Sequence, residues 1–116
     1  MGKPRFRPSK VFANPRSFGR ILHGPLASPN PLSPVETGWA IFQHRAAHTV
    51  LRELDARNET IDDFARALGE DLAWLKRNLY GQTPADLGDM IAWAFHLGVD
   101  VLPVFDNLSE LNPHTV

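Results

Sequence analysis

Seven of the chain's ten prolines (Pro4, Pro8, Pro15, Pro25, Pro29, Pro31 and Pro34) fall within its first 34 positions. Proline has no N–H to donate and clashes inside a helix, so long helices are confined to the residues beyond Pro34. The same stretch is basic throughout. Residues 1–35 carry Lys3, Arg5, Arg7, Lys10, Arg16 and Arg20 and no acid, for +6. Residues 36–116 carry six Lys or Arg and all thirteen acids, for −7. The net charge of −1 thus conceals a basic, proline-punctuated arm joined to an acidic domain. A basic tail of this kind most simply suits a polyanion. The arm has a rival reading, in which Phe6, Val11, Phe12, Phe18, Ile21 and Leu22 lie against the domain as an extended wrap.

At 116 residues the chain has room for one domain, and 43% apolar residues support a core. No apolar run approaches the length of a membrane-spanning helix. Cysteine is absent, which excludes disulfides, thiolate zinc sites and a cysteine nucleophile. The start, Met1-Gly2-Lys3-Pro4-Arg5-Phe6, reads as neither a signal peptide nor a myristoylation site. The expected compartment is the cytoplasm.

Beyond the arm the pattern is helical. Ser33-Pro34-Val35-Glu36 is a helix start, with a capping hydroxyl, proline at the first helical position and a glutamate that reaches back. Val35, Trp39, Phe42, Ala46, Val50 and Leu54 then recur at helical spacing to about Ala56. Thr60 and Asp63 open a second helix, with Ile61, Phe64, Ala65 and Leu68 inward and Gly69 ending it. A third runs from about Asp71 to Tyr80 on Leu72, Leu75 and Leu79. A fourth is expected to open at Thr83-Pro84-Ala85-Asp86, bury Leu87, Met90, Ile91, Ala94, Phe95 and Leu97, and stop at Gly98. Asp100 caps a last short turn through Phe105. The expected class is all-α: an arm over 1–32, a helical domain over 33–106 and a tail over 107–116.

Residues 61–81 are the most specific segment. Two short helices joined through Gly69-Glu70 must cross steeply, as in a helix-turn-helix, with Ala65 at the crossing and Leu75 plugging the angle. Thr49-Val-Leu-Arg-Glu-Leu-Asp-Ala-Arg57, Phe64-Ala-Arg-Ala-Leu-Gly69, Leu75 with Gly81-Gln-Thr-Pro84, and Ile91-Ala-Trp-Ala-Phe-His-Leu-Gly-Val-Asp100 together resemble the Cro/phage-repressor-type (XRE family) domain. The likeness spans about half the chain.

The resemblance implies a five-helix domain that binds double-stranded DNA sequence-specifically and regulates transcription as a repressor and a homodimer. It puts the second helix of the motif in the major groove. Ala73, Trp74, Lys76, Arg77 and Tyr80 would face the groove, with Asn78 at the margin. Arg77 suits guanine, Asn78 adenine, and Lys76 phosphate or guanine. The arm, through Lys3, Arg5, Arg7 and Lys10, would lie on phosphates or in an A·T-rich minor groove. Two departures stand out. Asp62, Asp63, Glu70 and Asp71 put four carboxylates at the helix starts, and Asn78 takes a position the family fills with a buried apolar side chain. They keep two alternatives open: a protein-interaction module with a degenerate motif, and a sequence-tolerant nucleoid-associated protein.

No enzyme, cofactor, metal or small-molecule ligand is expected. There is no Gly-rich phosphate loop, and the carboxylates sit mostly at helix starts, where capping accounts for them. His44 and His48 are four apart on one helix, but two ligands do not make a metal site. Trp39 and Phe42 on the long first helix are expected to be core or cover, with a dimer seam as the sharper alternative. Trp93 and His96 are expected to be half-buried, with exposure to a partner as the alternative.

Overall fold

The computed structural model describes residues 6–98, and its regular structure is helical. Four α-helices follow in order: α1 (Pro34–Ala56), α2 (Ile61–Leu68), α3 (Leu72–Leu79) and α4 (Leu87–Leu97). Two short 3-10 turns, Pro8–Val11 and Pro15–Ser17, precede them. The fifth helical turn expected at 100–105 lies outside the described residues. No described helix is long and apolar enough to cross a membrane.

The helix starts are set by the side chains the sequence points to. Ser33 Oγ accepts the Glu36 N–H at 3.1 Å, and Glu36 accepts the Ser33 N–H at 2.9 Å. Thr60 and Asp63 close the same reciprocal pair on α2, and Asp71 accepts the Trp74 N–H at 3.0 Å on α3. Each satisfies amides that the helix itself leaves without partners. Gly69 and Gly98 end α2 and α4 in the left-handed conformation.

The start of α4 departs from expectation. Its cap is Asp86, paired with Asp89, and Thr83–Ala85 stay outside the helix. The backbone there is already committed to α1. Gln43 binds the Thr83 carbonyl and the Ala85 N–H, and the Trp39 indole donates to the Ala85 carbonyl at 2.7 Å. The buried face is also different. Met90, Trp93 and Leu97 point inward, with Trp93 fully buried, while Leu87, Ile91 and Phe95 are 56%, 48% and 85% exposed. This helix is apolar on two faces, so periodicity alone could not choose between them. Trp93 belongs to the core, whereas His96 is exposed.

The N-terminal segment forms a wrap. Phe6, Val11, Phe12 and Phe18 are all core residues. Phe6 meets the Trp39 ring edge-on at 5.4 Å, and Phe12 and Phe18 both pack against the His44 ring. Ser9 donates to the Gly81 carbonyl at 2.8 Å, tying the first 3-10 turn to the loop after α3. Phe18 lies directly on Gly81, whose φ is +73°; a methyl group there would sit 2.6 Å from Phe18 Cγ. The chain thus uses glycine where the backbone is left-handed and a ring needs its space.

On α1, Trp39 and Phe42 are half-buried against the chain's own core. Ala40, Ala46 and Ala47 are buried small residues that let neighbouring segments approach α1 closely. Val35 is the exception and is exposed.

His44 fastens the wrap. Its Nδ1 accepts the Gly19 N–H at 2.8 Å, and its Nε2 lies 2.9 Å from the Leu22 carbonyl. Both contacts are hydrogen bonds only in the neutral ring with its proton on Nε2. Both ring nitrogens are therefore occupied, which removes His44 from any metal pair with His48. Burial is the main cause that pushes the His44 pKa down, with His48, Arg45 and His23 adding to it; His48 is lowered too, again chiefly by burial.

Stability should therefore depend on pH. Above about pH 6.5, the ordinary histidine value, neither the folded nor the unfolded chain is charged at these sites. As pH falls below that, the unfolded chain takes up protons first and stability is lost. For His44 alone the slope approaches at most about 1.4 kcal/mol per pH unit. Urea melts between pH 7.5 and 5 should show falling stability, and His44→Gln should be weaker at pH 7.5 but flatter across the range. An unchanged slope in that variant would contradict the assignment.

Candidate nucleic-acid interface

Gly69, Glu70 and Asp71 are the whole connection between α2 and α3, and the two helices pack on one another. Glu70 donates to the Ala65 carbonyl at 2.9 Å, closing the turn behind Gly69. Phe64, Ala65, Leu75 and Leu79 are buried in and around the crossing. Ala65 leaves room at a point where a larger side chain would push the helices apart.

With Leu75 and Leu79 turned inward, α3 leaves one side free. Ala73, Lys76 and Arg77 are exposed on it, and Trp74 and Tyr80 are half-buried. Asn78 is not part of this surface. It is 0% exposed, its Nδ2 donates to the Trp74 carbonyl at 2.8 Å, and its backbone carbonyl accepts from Gln43 at 2.7 Å. Its Oδ1 has no partner among the described residues. The expected contact to adenine is therefore ruled out: Asn78 occupies the inner row with Leu75 and Leu79.

Among the arm candidates, Arg7 and Lys10 are exposed, while Lys3 and Arg5 lie outside the described residues. Arg7 and Lys10 sit on the folded wrap, so an extended arm in the minor groove does not describe them. Arg20 lies over the Tyr80 ring, 4.4 Å from its centre, which joins the wrap to the end of α3.

Asp62, Asp63 and Asp71 at the helix starts have local partners. Asp62 pairs with Arg66 at 2.9 Å. Asp63 accepts the Thr60 N–H, and that bond holds its carboxyl below the usual range. Asp71 is spent as a cap. On Asp89, burial lifts the carboxyl above its usual range, and the neighbouring Asp86 and Glu70 carboxylates add to it. Negative charge thus gathers near the start of α3 and at the start of α4. Positive charge lies on the last turn of α3, with Lys76 and Arg77.

Sequence reasoning passed over Gln43, which holds the end of α3 and the start of α4 in place. Its signal was a polar residue between Trp39, Ala46 and Val50 at helical spacing, an intruder in an apolar stripe. No family model matches the chain, and neither curated proteins nor solved structures offer a match.

Proposed function

We propose that α2, its turn and α3 act as a helix-turn-helix that reads double-stranded DNA, and that the protein is a sequence-specific transcriptional regulator of the repressor kind. The supporting observation is the outer side of α3. Ala73, Trp74, Lys76, Arg77 and Tyr80 remain accessible there, and neither Lys76 nor Arg77 is paired with a carboxylate among the described residues. Arg77 offers a planar fork to guanine, Lys76 a point charge to phosphate or guanine, and Trp74 an apolar face to a thymine methyl or a sugar. Repression would result from occupying an operator, with two copies on paired half-sites. Catalysis has no part in the proposal.

Selection of bound duplexes from a random pool, using the full chain, tests it. The expected result is a defined site bound at least about a thousandfold better than random DNA. Arg77→Ala should relax the preference at one base position, by about 1–3 kcal/mol. Lys76→Ala should weaken all sequences more evenly.

A second reading, an interaction module that keeps the fold without reading DNA, draws on the exposed apolar row Leu87, Ile91 and Phe95 and on the acids near the start of α3. It predicts no duplex binding at modest salt. Sequence-tolerant binding with a steep salt dependence would instead indicate an architectural protein.

A further inference from the structure

The wrap and the end of α3 enclose a surface cleft of about 310 Å3 whose lining includes Arg7, Arg16, Arg20, Ser9, Tyr80 and Gln82. Three arginines line this cleft and no carboxylate does. By comparison, Arg57 and Arg66 each have an acid within 3 Å. Arg7, Arg16 and Arg20 form no ion pair among the described residues. Gathering three guanidiniums without an acid is unfavourable unless an anion joins them.

The cleft is held by fixed elements. Ser9 is tied to the Gly81 carbonyl at 2.8 Å. Arg16 sits on a 3-10 turn whose cap, Asn14, accepts its N–H at 3.1 Å. Arg20 follows Gly19, which is bound to His44, and rests on the Tyr80 ring. The negative end of the α3 dipole is muted at the same place. The carbonyls of Lys76, Arg77 and Asn78 accept from Tyr80, Gln82 and Gly81. Arginine therefore dominates the local field.

We propose that this cleft is a phosphate site. Arginine forks match phosphate oxygens bidentately, and Ser9, Tyr80 and Gln82 offer neutral donors around them. A tetrahedral dianion presents oxygens in several directions to donors that converge from two segments; a carboxylate has only two. The cleft volume is at the lower end for small-ligand sites, which suits a phosphate with little attached to it. The phosphate has two possible sources, the backbone of a duplex docked on α3 or a free phosphorylated small molecule. The site stands on this geometry and not on the reading of α3.

Inorganic phosphate titrated into the full chain at low ionic strength, followed by amide NMR, provides the test. Saturable shifts are expected at Ser9, Arg16, Tyr80 and Gln82. The double variant Arg7→Gln/Arg16→Gln should weaken phosphate binding tenfold or more. It should still fold, because both side chains are exposed, and a thermal melt checks this. Arg52→Gln, which removes one positive charge from the outside of α1, should bind like the parent. Shifts that fail to saturate, or that persist in the double variant, overturn the site.

Random-sequence duplex identifies the source. If the backbone supplies the phosphate, the double variant loses duplex affinity evenly and its salt slope falls by about 0.9 for each phosphate released. Phosphate binding with duplex affinity unchanged assigns a free phosphorylated ligand and supports the site equally. Phosphate binding without any duplex binding sinks the reading of α3 and leaves the site standing. Sequence-specific duplex binding without saturable phosphate shifts does the reverse.

Discussion

Deleting residues 1–20 should unfold the whole protein. The truncation removes Phe6, Val11, Phe12 and Phe18 from the core and exposes what they cover on α1 and around Gly81. Burial of each such side chain contributes about 1.5–3 kcal/mol, so the four together contribute about 6–12 kcal/mol. Small domains are stable by about 5–15 kcal/mol in all. The loss therefore rivals the total, even without the Ser9–Gly81 and Gly19–His44 hydrogen bonds. Circular dichroism and the dispersion of a proton–nitrogen spectrum give the result directly. A truncated chain with a cooperative melt and dispersed amides would show that α1–α4 are self-sufficient and that the segment is an accessory. Phe18→Ala offers a graded version, with an expected loss of about 3–5 kcal/mol. Unfolding also changes how duplex experiments are designed: a deletion cannot report on the basic charges, so single exposed arginines have to be replaced instead.

What the sequence reveals here depends on how local each cause is. Ser33, Thr60 and Asp71 act within one helical turn, and the starts of α1, α2 and α3 were legible for that reason. Thr83-Pro84 has the same local signature, yet the helix starts at Asp86 because Gln43 and Trp39, some forty residues earlier, hold the intervening backbone. The inner face of α4 was illegible for a similar reason. Leu87, Ile91 and Phe95 make as good a stripe as Met90, Trp93 and Leu97, and only the shape of the surrounding core decides between them. The basic arm was legible as charge but not as structure. Its phenylalanines signalled a wrap, while its arginines signalled an interaction tail; both features occupy one folded segment. On α3 the outward residues could be assigned from Leu75 and Leu79, but Asn78 could not. A polar side chain in the inner row becomes intelligible only when its bond to Trp74 and the Gln43 clamp are seen.

The second large effect is expected at Gln43, the polar centre of that clamp. Its Nε2 donates to the Asn78 carbonyl at 2.7 Å and the Thr83 carbonyl at 3.0 Å, and its Oε1 accepts the Ala85 N–H at 2.7 Å. Gln43 and Ala85 are both fully buried. Gln43→Leu keeps much of the volume, so the effect is on hydrogen bonding and not on a cavity. The Ala85 N–H is left without a partner, and the Thr83 carbonyl loses its bond. The Asn78 carbonyl keeps a longer bond from Gly81 at 3.3 Å. Unpaired buried groups cost about 1–3 kcal/mol each, so a loss of about 3–4 kcal/mol is expected in a denaturant melt. A change under about 1 kcal/mol would mean that water or a shifted backbone replaces the clamp. Gln43→Glu separates hydrogen bonding from packing. An ionised carboxylate accepts from Ala85 but faces two carbonyls with no proton to give, so burial raises its folded pKa above the ordinary value of about 4.3. The proton it then binds restores a donor. The contribution is fully present below the unfolded value and is lost as pH rises through the folded one, so the gap between this variant and the parent should narrow as pH falls. A gap that stays constant from pH 7 to pH 4.5 would assign the cost to shape. Because the clamp fixes the end of α3, Gln43→Leu should also weaken duplex binding if α3 reads DNA as proposed, although Gln43 itself never reaches the surface.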